Sequence, residues 1–216
     1  MGTDIHGVFQ RHDGARWRDV ASLYEQARHY QLFAVLAGAR NGKGFAGIAI
    51  GEVVTPIAEP RGLPPEFEVW KHNDHPIQTL EQMDPLKRKY REKYLEVTAP
   101  MEVWMGDHSH SWLTGNEMLA WIESAPEVVK TGILDRKDYE AWDGVTPPES
   151  YCGGISGRDV AQINDSAIEK EQRPEWTHIR CCWQSNLRAE LGYFFDEVAR
   201  LVAEHGDIRF VFGFDS

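Results

Sequence analysis

The alternation of apolar and polar positions predicts a β-hairpin at the start of the chain. Within residues 3–12, Ile5 and Phe9 share one face and Asp4 and His6 share the other, which is the pattern of a strand with one buried face. An Asp-Gly pair then gives a strong turn signal, and the apolar and charged residues after it continue as a second strand.

The C-terminal third predicts a strand, a long helix and a final strand. Residues 177–184 alternate as a strand does, and Ser185 is a suitable N-cap for the helix that follows. Apolar side chains recur at helical spacing as far as Gly206, and residues 207–216 alternate again. A strand–helix–strand order favours parallel pairing of the two strands through a right-handed crossover.

Two shorter helices are predicted in the middle of the chain. One covers residues 30–39 and is stopped by the polar segment Arg40-Asn41-Gly42. The other follows a capping box formed by Thr114 and Glu117. Each of these helices has one apolar face that needs a sheet or another helix to cover it.

These elements predict a single domain over residues 1–216. Loop-rich, irregular regions are expected at about 42–100 and at about 124–175, where periodic signals are sparse. The predicted fold class is α+β (or α/β), with a single mixed β-sheet that carries the N-terminal hairpin, the C-terminal β-α-β unit and helices packed on the sheet.

Charge and cysteine content narrow the class of protein. The chain has 216 residues and a formal net charge of −11, so a broad nucleic-acid surface is not expected, although a local basic pocket is compatible with that charge. It has no apolar run of about 18 residues, so we expect no membrane span. Three cysteines without a Cys-x-x-Cys pair predict a reduced, cytoplasmic protein. The oligomeric state stays open.

The strongest candidate chemistry is a divalent metal site. Asp4 and His6 are two residues apart, as are His108 and His110, so on extended strands each pair projects to one face. Asp4, His6, His108 and His110 are therefore candidate metal ligands, and Asp107 and His108 are candidate catalytic residues that orient or deprotonate water. Zinc or manganese is the favoured metal, and the mixed ligands also suit iron or a two-metal centre. The alternative is that these are ordinary polar residues at a strand rim and in a loop.

A second constellation predicts anion recognition. The candidate residues lie beside turn-forming residues and are Arg28, Tyr30, Arg40 and Arg61. A guanidinium binds phosphate or carboxylate through paired hydrogen bonds. The run Asp107–His110 also precedes the capped helix, whose N-terminus favours negative charge. If these loops converge, the ligand is a small anion or a nucleotide. Each arginine separately is also an ordinary surface residue.

Other histidines and cysteines offer weaker alternatives. Cys152 precedes two glycines and is a candidate nucleophile on an exposed turn. His72 and His75 flank a polar loop and are candidates for a lid or a fifth metal ligand. Cys181 and Cys182 fall within a predicted strand, where packing is the expected role.

The chain resembles two groups of proteins at these residues. Asp4-Ile5-His6-Gly7 is similar to the first motif of the calcineurin-like metallophosphoesterases, and Gly106-Asp107-His108 is loosely similar to a later one. This likeness implies that the Asp-x-His pair binds metal. Met1-Gly2-x-Asp4-Ile5-His6, with further motifs along the chain, resembles a group of small, uncharacterised bacteriophage proteins. That resemblance implies a phage gene product acting in the host cytoplasm, where nucleotides and host defence are common targets.

The sequence favours a phage-encoded, metal-dependent hydrolase of a phosphate-containing substrate, such as a nucleotide, a cyclic oligonucleotide or a nucleic-acid end. The alternative is a non-catalytic protein that sequesters a nucleotide or blocks a host defence protein. A phage structural or assembly protein is a third possibility, which the absence of repeats disfavours.

Overall fold

A computed structural model describes residues 2–23, 28–44, 47–67, 106, 108–155 and 177–215, apart from the side chain of Ser22. Within these ranges the chain forms six strands and four helices in two antiparallel sheets. In chain order the elements are β1 (Ile5–His12), β2 (Trp17–Ser22), α1 (Tyr30–Ala37), β3 (His108–Thr114), α2 (Gly115–Glu123), β4 (Glu127–Asp135), α3 (Arg136–Ala141), β5 (His178–Asn186), α4 (Leu187–His205) and β6 (Ile208–Phe214).

The central sheet has the strand order β2-β1-β6-β3, and every neighbouring pair is antiparallel. The N-terminal hairpin is confirmed: the Asp13 carboxylate accepts hydrogen bonds from the backbone N–H groups of Ala15 and Arg16, and Gly14 has a φ of 93°. Such a φ is open to glycine at little cost, which is why the Asp-Gly pair marks this turn.

The C-terminal strand β6 lies in the middle of this sheet and is buried along its whole length. The predicted alternation holds, since Phe210, Phe212 and Phe214 face the main core. Val211 faces the opposite side and packs with Val8 under apolar side chains of other segments. Because both faces are covered, β6 is more buried than a strand with one solvated face would be.

The main core lies between the central sheet and three helices, α1, α2 and α4. Aromatic rings connect the two layers: Phe33 of α1 lies 5.1 Å from Phe214, and Phe194 of α4 lies 5.6 Å from Phe210, measured between ring centroids. Burial of each such side chain stabilises the fold by roughly 1.5–3 kcal/mol. This packing holds α1 beside the N-terminal end of β1.

The helix boundaries follow the predicted caps with small shifts. The capping box of α2 is confirmed, with Thr114 and Glu117 bonding each other's backbone N–H groups. The predicted N-cap of α4 is wrong by one residue, because the Asn186 side chain, not Ser185, accepts from the Ala189 N–H at 3.0 Å. Gly206 ends α4 as predicted.

The α+β class is confirmed, but the sheet arrangement differs from the single mixed sheet that we predicted. β5 pairs with β4 in a separate two-stranded ribbon, while β6 pairs with β1 and β3, so the β5-α4-β6 segment makes no parallel pair. The reason is β4, a nine-residue strand inside the region that was predicted to be a loop-rich connection. β5 therefore pairs antiparallel with β4 instead of parallel with β6.

The first helix also ends earlier than predicted. It stops at Ala37, and Gly38 caps it in the left-handed conformation with a φ of 68°. Glycine adopts this conformation without a Cβ clash, so the helix ends before the Arg40-Asn41-Gly42 segment. The chain after that segment reaches β4, because Gly51 forms an isolated bridge with Lys130.

Candidate functional site: a basic cavity beside the sheet end

One end of the central sheet gathers several of the predicted site residues. Asp4 precedes β1 and Asp215 follows β6, and because the two strands are antiparallel neighbours their ends meet. The Asp215 carboxylate accepts from the Asp4 N–H at 3.0 Å, and its other oxygen lies 3.1 Å from His6 Nε2. Arg28 Nε donates to Asp4 Oδ1 at 2.9 Å. Asp4, His6 and Arg28 thus share one hydrogen-bonded cluster with Asp215.

The backbone between the two histidines of β3 is not the regular strand that their predicted pairing assumes. Ser109, between them, has a φ of 51°, and the pairing of β3 with β6 shifts register between His108 and Ser111. The rule that residues i and i+2 share a face fails across such an irregularity. His108 stacks on Phe214 at 6.0 Å, and His110 Nε2 lies 3.1 Å from the carbonyl of Gly106.

The two predicted halves of the metal site lie at the same end of the sheet with β6 between them. Ile5 and His108 both pair with Phe214, from opposite sides. Two strand spacings therefore separate their backbones, about 10 Å. Asp107, the predicted catalytic carboxylate, lies outside the described residues, as do His72 and His75.

The described side chains do not fit a bound metal as they are arranged. Among those residues, no group of three His, Cys, Asp or Glu side chains is placed to hold a metal ion. A catalytic zinc needs about three such ligands. Arg28 already occupies one oxygen of Asp4, and Asp215 engages the imidazole of His6. The zinc or manganese centre stays a prediction.

A basic cavity of about 200 Å³ adjoins this cluster. Three of the predicted anion-binding residues, Arg28, Tyr30 and Arg40, line it. The rest of its lining is His29, Gln31, Gly42, Lys43, Ile50, Gly51, Lys130, Tyr151 and Glu190. Among the described residues, then, four cationic side chains (Arg28, Arg40, Lys43 and Lys130) and one carboxylate (Glu190) line the cavity. In a chain of net charge −11, this is a local concentration of positive charge.

Both arginines of the cavity are held in an unusual backbone conformation. In the part of the chain that the structure describes, the non-glycine residues with positive φ are Arg28 at 72°, Arg40 at 54° and Ser109. Arg40 Nε donates to Thr3 Oγ1 at 2.7 Å, and its guanidinium lies 5.6 Å from the ring centroid of Tyr30. These contacts fix the direction of the Arg40 side chain at the cavity wall.

The wall opposite α1 is built around Lys130 of β4 and Glu190 of α4. The Lys130 ammonium forms an ion pair with the Glu190 carboxylate, and Ser185 Oγ donates to the other carboxylate oxygen at 2.9 Å. The Lys130 side chain is 9% exposed, so this pair is well shielded from water. Because Glu190 is already paired, it offsets Lys130 rather than the arginines.

His29 lies beside this pair and caps α1. Its Nδ1 accepts a hydrogen bond from the Leu32 N–H at 3.3 Å, which leaves the proton on Nε2, 3.9 Å from Glu190. Burial lowers the pKa of the imidazole, and Lys130 lowers it further, while Glu190 acts in the opposite direction. His29 is therefore a neutral donor at pH 7 and adds no charge to the cavity.

Gln31 provides a polar group that lacks a protein partner. Its amide Nε2 is buried, and it is the one such side-chain atom without a hydrogen-bond partner in the described part of the chain. Leaving a buried donor unsatisfied costs about 1–3 kcal/mol. Gln31 is one of the residues that line the cavity, but its Nε2 atom is closed off from solvent and therefore does not face the cavity space.

Arg61 and Cys152 are not brought to the cavity. The Arg61 guanidinium binds both oxygens of Glu117 and lies 4.9 Å from the ring centroid of Trp112. Cys152 Sγ donates to the Ile133 carbonyl at 3.6 Å, so its environment is that of a strand-edge residue. Arg61 thus stabilises the start of α2. This is the helix N-terminus at which the sequence predicts an anion site.

Sequence reasoning missed Lys43, Lys130, Gln31, Tyr151 and Glu190. A weak signal exists for Lys130, which interrupts the apolar positions Val128 and Ile133–Leu134 of a strand that we had taken for a loop. A buried lysine in a strand needs a carboxylate partner. The sequence alone does not indicate that this partner lies 60 residues away.

Comparisons with known proteins add no family. No protein-family model, no curated protein and no solved structure matches this chain significantly. The resemblances to bacteriophage proteins and to metallophosphoesterases therefore stay predictions. In the described ranges, none of the helices combines the length and apolar character that crossing a membrane requires.

Proposed function

We propose that this protein binds a small phosphate-bearing anion in the basic cavity. The observation that carries the proposal is that Arg28, Arg40, Lys43 and Lys130, with the single carboxylate Glu190 paired to Lys130, line about 200 Å³ of space in a chain of net charge −11. Clefts lined by one sign of charge attract the opposite ion, and guanidinium groups match the geometry of phosphate oxygens.

The backbone of the two arginines supports a binding role. A non-glycine residue in the left-handed region costs on the order of 1–3 kcal/mol, and such residues cluster at ligand sites. Arg28 and Arg40 both adopt it, and both line the cavity.

The size of the cavity favours a small group. Pockets for drug-sized ligands measure roughly 300–1,000 Å³, so a cavity of about 200 Å³ suits an inorganic phosphate or one phosphoryl group of a larger ligand. Of the ligands predicted from sequence, a mononucleotide fits this size better than a cyclic oligonucleotide. Such a protein sequesters its ligand unless it also has a reactive group.

Hydrolysis of the bound phosphate is a second candidate function. It is favoured by the cluster of Asp4, His6 and Asp215, which is connected to the cavity by Arg28. Metal analysis of the purified protein tests it, together with recovery of the ligand after incubation. Stoichiometric zinc or manganese that His6→Ala removes, with hydrolysed ligand, supports the hydrolase. Unchanged ligand and no metal support the binding protein.

Calorimetric titration with inorganic phosphate tests the binding proposal. Lys43→Gln and Arg28→Gln each remove one positive charge from the cavity, so we expect each to weaken phosphate binding about tenfold. Lys137→Gln makes the same charge change on α3, outside the cavity lining, and is the matched control. The proposal is wrong if wild-type protein does not bind phosphate, or if all three variants bind it equally.

A further inference from the structure

A second cavity, of about 560 Å³, shares a wall with the basic cavity. The shared residues are Lys130, Tyr151 and Glu190. The rest of its lining is Glu127, Pro147, Trp183, Gln184, Ser185, Asn186 and Ala189. The two cavities are therefore adjacent parts of one surface region, with these three residues at their border.

The two parts have opposite charge character. Among the described residues, the first is lined by four cationic side chains and one carboxylate, whereas the second is lined by one ammonium and two carboxylates, Glu127 and Glu190. An anion is attracted to the first part and repelled from the second. A ligand that spans both must carry its negative charge at one end and an uncharged group at the other.

The second part is lined by an aromatic pair. Tyr151 and Trp183 meet edge to face, with ring centroids 4.8 Å apart and an angle of 66° between their planes. Trp183 is 4% exposed and fixed by the ribbon, while Tyr151 is 41% exposed. Gly132 lies beneath them, and a Cβ there would approach both rings within 2.7 Å, so only glycine lets the pair lie against the ribbon.

From this juxtaposition we propose that the ligand is a nucleoside monophosphate. Its phosphate occupies the basic cavity, and its base occupies the second cavity against Tyr151. Aromatic side chains of this kind stack on the face of any base, and polar side chains such as Gln184 supply donors and acceptors to its edge. Burial and the nearby Glu190 carboxylate raise the pKa of Tyr151, which keeps its ring neutral.

This inference rests on the proposed phosphate site, and the choice of probes separates the two. Adenosine 5′-monophosphate, ribose 5-phosphate and inorganic phosphate are titrated against the same protein. We expect the nucleotide to bind at least tenfold more tightly than ribose 5-phosphate. Equal affinities overturn the base site and leave the phosphate site standing, while no binding of any probe overturns both.

Substitutions on α4 locate the base. Ala189 lines the second cavity and is absent from the lining of the first, so Ala189→Leu fills only the second. We expect it to remove most of the nucleotide's advantage over ribose 5-phosphate. Ala199→Leu adds the same volume to the same helix outside both cavities and is the control. In parallel, Tyr151→Phe keeps the stacking ring and should keep the advantage, while Tyr151→Ala should lose it.

If Ala189→Leu and Tyr151→Ala both leave the ratio of the two affinities unchanged, the base does not bind in the second cavity. Circular dichroism and thermal melting of each variant establish that it is folded, and the ratio compares two ligands on the same preparation. A partly destabilised variant therefore still gives a valid ratio.

Discussion

Gly7 occupies a place in β1 that admits no side chain. A Cβ at this position would lie 2.4 Å from Phe210 Cζ and 3.1 Å from Phe212 Cβ. Both rings are fully buried at the centre of the sheet and cannot move aside. We therefore predict that Gly7→Ala lowers the free energy of unfolding by about 1–3 kcal/mol, the usual effect of overpacking. Urea-induced unfolding followed by circular dichroism measures the change.

Gly192 is the control position for this substitution, because it has room for a side chain. It lies within α4, and a Cβ there would meet no atom within 4 Å. Alanine is a better helix former than glycine by roughly 1 kcal/mol, so Gly192→Ala should raise the free energy of unfolding. A loss of stability equal to that of Gly7→Ala would contradict the packing explanation.

At the scale of single residues, the sequence predicts which side chains carry functional groups better than it predicts where those side chains point. The His6 imidazole lies 3.1 Å from the Asp215 carboxylate, whereas Asp4 contacts that carboxylate through its backbone N–H and uses its own side chain to bind Arg28. Between His108 and His110, Ser109 adopts a positive φ, so the regular strand alternation on which their predicted pairing depended does not hold there. Serine gives no signal for that conformation, whereas a glycine at the same place would have given one. A two-residue spacing therefore predicts a shared face only along regular strand.

Among the helices, α2 has an N-terminus stabilised by two separate partners. Glu117 completes the capping box with Thr114, and Arg61 binds the same carboxylate from the loop that covers the sheet. The hydrogen bond from Arg61 is the main cause that lowers the pKa of Glu117 to about 2, from an ordinary 4.5. The loop, the strand β3 and the helix are therefore connected by a single carboxylate.

The lowered pKa of Glu117 has a pH-dependent consequence for stability. A depressed folded-state pKa means that the stabilisation is complete above pH 4.5 and is lost as the pH falls towards 2. Glu117→Gln keeps the capping geometry but cannot ionise. We predict that it lowers the free energy of unfolding by about 1 kcal/mol at pH 6, allowing for solvent screening of a part-exposed pair.

The difference between Glu117→Gln and wild type should shrink as the pH falls from 4.5 to 2, because wild-type Glu117 is progressively protonated. Urea unfolding at pH 6 and at pH 3 measures it. Glu140→Gln, on α3 in an exposed pair with Arg136, is the control and should differ little from wild type at either pH. A difference for Glu117→Gln that stays constant with pH would exclude the ion pair as its cause.

Helices α1, α2 and α4 and the C-terminal strand were predictable because each has its own periodicity and caps, whereas the six-residue α3 lies in the region that was predicted to be loop-rich. The long helix α4 and the strand β6 hold their apolar positions at spacings of 3.6 and 2 residues. Strand β4 was missed because its inward positions include Lys130 and Gly132, which break the apolar alternation. Without β4, the only visible partner for β5 was β6, and the predicted sheet was accordingly mixed.

Over the whole molecule, the cavity exists because segments far apart in sequence meet at one place. Arg28 and Tyr30 come from the start of α1, Lys43 from the loop that follows it, Lys130 from the ribbon and Glu190 from α4. The arginines were predicted from their chemistry, but no local pattern indicates that the ribbon closes the site. Only tertiary packing brings Lys130 and Glu190 next to the residues from the start of α1 and the loop that follows it.

The Lys130–Glu190 pair connects the ribbon to α4, and its charges also set the potential of the cavity. Glu190→Gln leaves the Lys130 ammonium, whose side chain is 9% exposed, without a carboxylate. Breaking a buried pair costs roughly 3–5 kcal/mol, and because the Glu190 side chain is 23% exposed we predict a loss of about 2 kcal/mol in unfolding free energy. Surface Glu197→Gln, on the same helix, should cost far less.

The same substitution should improve phosphate binding while it weakens the fold. Removing one negative charge from the lining of the cavity lowers the repulsion of a bound anion, and we expect a gain of about tenfold in phosphate affinity, roughly 1.4 kcal/mol. Titration with phosphate measures this gain, and saturating phosphate should restore part of the lost melting temperature by mass action. If Glu190→Gln binds phosphate more weakly than wild type, the anion does not occupy the cavity that Lys130 and the arginines surround, because there the loss of a neighbouring carboxylate can only strengthen its attraction.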